Sequence, residues 1–124
     1  MSDDQAHDPA VTLAQAMFQA CRDGDIESLK PVLDQGAPLD MQDAEGNTMV
    51  MLAAYHGHAE LVRELASRGA DVELTNDRGQ TPLAGAVFKG FDEVVAALIE
   101  VGASPDAGTP TARETAVFFG RTYF

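Results

Sequence analysis

Residues 53–73 read AAYHGHAELVRELASRGADVE. The triplet His56-Gly57-His58 admits two readings: two imidazoles one residue apart could share a transition metal, or the glycine could end one helix with the imidazoles merely flanking it. The register of the chain decides between them. Shifted by 33 residues, the triplet becomes Asp23-Gly24-Asp25 in one direction and Lys89-Gly90-Phe91 in the other. The glycine recurs and the imidazoles do not. The remaining histidine, His7, sits near the N-terminus, and no third ligand at a suitable spacing completes a site, so no metal is expected.

The same interval of 33 relates Gly36, Gly69 and Gly102, and it relates Gly46 to Gly79. It also relates Ala20, Ala53 and Ala86, and the apolar sets Met17, Val50, Leu83; Leu29, Val62, Val95; and Val32, Leu65, Leu98. A period of this length marks a stack of supersecondary units, each too small to bury its own apolar face. Within one period the pattern predicts two short helices. Thr48 caps a helix over about Met49 to Tyr55, Gly57 supplies the positive φ that ends it, and a second helix runs through AELVRELASR, with Leu61, Val62 and Leu65 on one stripe. Gly69 stops that helix, and a turn-rich connection leads to Thr81.

These features resemble the ankyrin repeat family: an Asp or Asn turn, a glycine, Thr-Pro-Leu, paired alanines, Gly-His, a Val-x-x-Leu stripe and Gly-Ala-Asp. They stand here as DAEGNTMVMLAAYHGHAELVRELASRGADV and, more closely, as NDRGQTPLAGAVFKGFDEVVAALIEVGAS. An N-terminal copy, MFQACRDGDIESLKPVLDQGAPLD, lacks the Thr-Pro-Leu start, and TARETAVFF supplies only a first helix. The resemblance implies an all-α solenoid with repeats at about 13–42, 43–75 and 76–108 and a partial cap repeat at 109–124, in one domain over 9–124 behind a disordered acidic tail at 1–8. The histidine that usually follows Thr-Pro-Leu in this family is replaced by Met51 and Ala84, so its inter-repeat hydrogen bonds are expected to be missing. Pro31 falls inside a second helix, where it removes one backbone bond and should kink that helix, distorting the terminal repeat.

Composition narrows the function. Twenty carboxylates against eight Lys and Arg give a net charge of −12, which repels nucleic acid and anionic membranes. The start MSDDQAHDPA has no apolar run, no stretch approaches a membrane span, and the single Cys21 can form no internal disulfide; a cytoplasmic protein is expected. Cys21 aligns with Ala54 and Val87 and is read as a buried structural thiol. The acids are scattered over turns and outer faces, and no glycine-rich phosphate loop is present. No catalytic residue and no cofactor are expected.

The resemblance implies protein binding on the concave side, formed by first helices and turns. There Tyr55 and Phe88 share one repeat position, with Arg22 as their counterpart, and Asp23, His56 and Lys89 lie beside them. The turns contribute Ala44, Glu45, Asn47, Asp77, Arg78 and Gln80. An aromatic pair ringed by polar groups has the composition of an interface core and rim. The alternative is that the rings only pack across repeats. AVFFGRTYF is expected to form a cap helix against the third repeat, either as a plain stabilising cap or with Phe118, Phe119, Tyr123 and Phe124 leaving an exposed apolar patch. A monomer is expected, with dimerisation through that patch as the alternative. The rival functions are an acidic regulator or inhibitor of a basic partner such as a nuclease and, more remotely, a small hydrolytic or metal-dependent enzyme.

Overall fold

A computed structural model describes residues 8–124. His7 and the expected tail, apart from Asp8, lie outside the described residues. Among the described residues seven helices follow in order: α1 Pro9–Asp23, α2 Ile26–Asp34, α3 Met49–Tyr55, α4 Ala59–Ser67, α5 Pro82–Lys89, α6 Asp92–Glu100 and α7 Ala112–Phe119. No strand forms among the described residues; Gln42 and Thr48 make an isolated antiparallel bridge.

The threonines start the inner helices. The hydroxyls of Thr48, Thr81 and Thr111 accept the backbone N–H groups of Met51, Ala84 and Glu114 at 3.1, 3.1 and 3.0 Å, each satisfying a donor that the first turn leaves open. Glu114 also returns its carboxylate to the Thr111 N–H at 2.9 Å, closing a capping box. α1 begins earlier than the repeat pattern suggests. Asp8 accepts the Ala10 N–H at 3.0 Å and Pro9 occupies the first turn, so α1 spans 15 residues against 7 or 8 in the other inner helices.

The inner helices α1, α3, α5 and α7 pack in sequence, and α4 and α6 pack side by side outside them. Leu61, Val62 and Leu65 of α4 and Val94, Val95 and Leu98 of α6 are buried, each contributing about 1.5–3 kcal/mol through removal from water. The first outer helix departs from this order. α2 stays continuous through Pro31 but buries only Leu29 and Leu33, and it packs on α1 with little direct packing against α4. A cleft lined by Ile26, Lys30, Glu60, Arg63, Glu64 and Ser67 separates the two, bridged by Arg68 to Asp34 at 2.9 Å. The terminal repeat thus departs from the others in how α2 packs, while the helix itself runs through Pro31 without a break.

The turns are tied to one another. Asp43 Oδ1 accepts the N–H groups of Glu45 and Asn47, both at 2.9 Å, and Asn76, 33 residues on, accepts those of Arg78 and Gln80 at 3.0 and 3.1 Å. Neighbouring tips join through Asp77 N–H to the Glu45 carbonyl at 3.0 Å and Thr109 N–H to the Gly79 carbonyl at 2.9 Å. These bonds hold successive repeats together although Met51 and Ala84 cannot supply the usual histidine contacts.

Candidate partner-binding surface

Equal repeat positions on stacked inner helices bring Tyr55 and Phe88 together. Their rings are nearly parallel, 10° apart, with centroids 6.4 Å apart. Lys89 Nζ lies 5.0 Å above the Tyr55 ring, and His56 meets that ring edge-on at 6.1 Å. Tyr55 is half-buried whereas Phe88 is 44% exposed, so the pair is anchored at one ring and open at the other. Phe119 extends the row, edge-on to Phe88 at 5.5 Å, and Phe118 follows edge-on to Phe119 at 5.0 Å. The repeat alignment did not single out Phe119 for this row, because it stands one place beyond the position of Tyr55 and Phe88. The paired phenylalanines of AVFFG were the signal.

Two depressions flank the stacked pair. Arg22, Glu45, Asn47, Tyr55, His56 and Arg78 line one of about 170 Å³. Gln80 and Phe88 line the other, about 410 Å³, against Pro110, Glu114 and the α7 phenylalanines. Arg22 is held 3.6 Å from Asp43, and Asp23 accepts Gln19 Nε2 at 3.1 Å at the end of α1. Ala44 and Asp77 are exposed on the turn tips. Asn47 corrects the expected set: it is 8% exposed, and its Oδ1 accepts Asn76 Nδ2 at 3.1 Å, which makes it a strut between turns. His56 titrates below the usual histidine range, because burial and then the neighbouring His58, Arg22 and Lys89 disfavour a further positive charge, while Asp23 opposes them.

The other imidazole has a job that the sequence reading overlooked. His58 Nε2 lies 2.7 Å from the Arg22 carbonyl at the end of α1, and its ring covers Gly24. The residue after the turn glycine does the same at the later interfaces with different chemistry. Phe91 lies against Gly57, and Arg121 covers Gly90 while donating from Nε to the Val87 carbonyl at 3.0 Å. Among the described residues no three ligating side chains converge. Cys21 is buried, and burial pushes its thiol up to about 12 against the smaller opposing effect of Arg22, so it has no thiolate for nucleophilic chemistry near neutral pH.

α7 lies against α5, burying Ala112, Thr115 and Ala116. Its outward side leaves Phe118 81% and Val117 75% exposed. Tyr123 does not join that patch: it is half-buried against the core and its hydroxyl donates to the Asp92 carboxylate. Among the described residues no helix is long and apolar enough to cross a membrane.

Comparison with known proteins agrees with this architecture. An ankyrin repeat protein of Pseudomonas aeruginosa is 39% identical over 44 residues, covering 36% of this chain and 26% of the relative. The ankyrin repeat domain-containing protein 29 of Homo sapiens is 43% identical over 49 residues, covering 39% of this chain and 16% of the relative. The chain thus matches about a quarter or less of the length of these relatives. A family model described as ankyrin repeats in three copies matches residues 17–109, from the middle of α1 to the turn before α7. Its repeats are generally protein–protein interaction modules. With the helix pairs, capping threonines and linked turns in the same register, the chain belongs to the ankyrin-repeat family.

Proposed function

We propose that the chain is a non-catalytic module that binds a partner protein through its inner helices and turn tips, with Tyr55 and Phe88 as the anchors. One observation carries the reading: the two rings stack at 6.4 Å with Phe88 open to solvent, beside a groove that Phe118 and Phe119 continue. A rigid, partly desolvated aromatic pair ringed by polar groups is the composition of a binding hot spot. Arg22, Asp23, Ala44, Glu45, His56, Asp77, Arg78, Gln80 and Lys89 form the rim. No metal or cofactor enters this reading, and the single, buried Cys21 suits a cytoplasmic setting.

Paired affinity captures from source lysate test it, one with the wild-type chain and one with Tyr55→Ala/Phe88→Ala. A partner retained by the first and lost by the second supports the reading; a partner retained equally by both refutes it. The net charge of −12 favours a second reading, an acidic inhibitor of a basic partner. Capture that survives the aromatic double substitution but is abolished by salt would select that inhibitor.

A further inference from the structure

We propose that α7 carries a self-association surface through which two copies of this chain pair. The repeat register shows what is unusual about this helix. Thr111, Ala116 and Gly120 stand 30 residues after Thr81, Ala86 and Gly90, so α7 aligns with α5 without a gap. In that alignment Val117 takes the place of Cys21, Ala54 and Val87, all fully buried, yet Val117 is 75% exposed. Phe118 beside it is 81% exposed. Phe124 returns toward the same helix, with the Arg113 guanidinium 5.8 Å from its ring.

The same alignment shows what does not fit the face. Arg113 and Glu114 occupy the places of Leu83 and Ala84, which are buried. Both are exposed here, and Arg113 pairs with Asp106 at 2.7 Å. A further repeat stacked in this register would have to bury two charges at core positions, which costs several kcal/mol for each unpaired ion. The face calls for an occupant that covers Val117 and Phe118 and leaves Arg113 and Glu114 at the edge.

Area points to a second copy. Phe88, Phe119 and Phe124 are 44%, 41% and 41% exposed. With Val117 and Phe118 they present roughly 500 Å² of apolar side chain, taking about 200 Å² for each aromatic. A twofold axis lays this surface on itself and hides roughly 1,000 Å² in total, the lower bound for a specific interface. The dimer is therefore weak and reversible. Each copy brings a charge of −12, so repulsion opposes pairing and salt relieves it. Association thus strengthens as salt rises, the opposite of what a charge-matched complex would do. This inference does not rest on the partner-binding reading, but the two surfaces share Phe88, so pairing and partner binding compete for it.

Sedimentation velocity of the full chain from about 5 to about 500 µM, in ~20 mM and ~500 mM NaCl, tests it. The expected result is a mass that climbs to twice the monomer and no further, with a several-fold larger dimer fraction at high salt. Phe118→Asp and Val117→Asp should each remain monomeric with unchanged melting temperatures, since both side chains are exposed. A wild-type chain that stays monomeric throughout overturns the proposal. So does a dimer that survives both substitutions. Masses that climb past the dimer overturn it as well, since they would mean head-to-tail stacking of α7 on the apolar groove of Leu13, Met17, Val32 and Met41 at the other end.

Discussion

Gly24→Ala should destabilise the fold well beyond Gly57→Ala, although the two glycines share one repeat position and have φ of 72° and 86°. Placing a Cβ on left-handed backbone costs about 1 kcal/mol at either site. At Gly57 the new methyl would rest 3.5 Å from the Phe91 ring, an ordinary contact. At Gly24 it would lie 2.7 Å from Cγ and Cε1 of His58, so the imidazole must move. That ring holds the Arg22 carbonyl at 2.7 Å through Nε2, and giving up this bond in a half-buried place costs a further 1–3 kcal/mol or so. The sum is about 2–4 kcal/mol for Gly24→Ala against about 1 for Gly57→Ala. Urea unfolding followed by circular dichroism reads the difference. With a slope of about 2 kcal/mol per molar, the midpoint should drop by about 1–2 M for the first variant and about 0.5 M for the second. In a His58→Ala background the extra cost of Gly24→Ala should vanish, a non-additivity expected of residues in contact. Equal midpoint shifts for the two glycines, or an undiminished cost without His58, would refute the role given to the His58 contact with Gly24 and the Arg22 carbonyl.

Three more outcomes follow from the same structure. Cys21 has its thiol raised from the usual 9.0 to about 12, so folding stability is full below pH 9 and is lost as pH climbs from there toward 12; Cys21→Ala should flatten that alkaline slope in urea titrations, and an unchanged slope would assign it to other groups. Removing residues 111–124 uncovers the α5 side chains beneath α7 and should lower stability by about 3 kcal/mol or more, seen as an earlier thermal melt; an unchanged melting temperature would make the segment a tail. Asn47→Ala removes the acceptor of Asn76 Nδ2 and should cost about 1–2 kcal/mol in urea while leaving the partner's dissociation rate unchanged; a stable variant that releases the partner faster would return Asn47 to the binding surface.

The spine of the fold was legible because its signals are local. Thr48 and Thr81 as caps, the glycines as stops and the 33-residue spacing of the apolar stripes each have a backbone or packing cause that one sequence displays. The start of α1 was also written, as Asp8-Pro9, but the repeat alignment drew the boundary at Leu13 and concealed it. His58 escaped because its counterparts, Phe91 and Arg121, perform one geometric task with three chemistries, so a search for a repeated residue type finds nothing. Asn47 and Tyr123 were placed at the surface because spacing locates a residue on a turn or tail without saying which way its side chain points. Both turn inward for a hydrogen-bond partner distant in sequence, Asn76 and Asp92. The stacking of Tyr55 on Phe88 was expected from equal repeat positions; its continuation through Phe119 depends on how α7 sits on α5, and spacing did not reveal it.

Binding kinetics of Tyr55→Ala and Phe88→Ala against a captured partner test the central claim most directly. Each variant should speed dissociation by roughly tenfold or more, the loss of about 2 kcal/mol typical of a buried aromatic anchor, while Glu45→Lys acts mainly on the association rate and its salt response. Melting temperatures should change little, because Phe88 is exposed and Tyr55 only half-buried. Wild-type dissociation rates in both aromatic variants, together with sharply lower melting temperatures, would contradict the account and assign the stacked rings to the core.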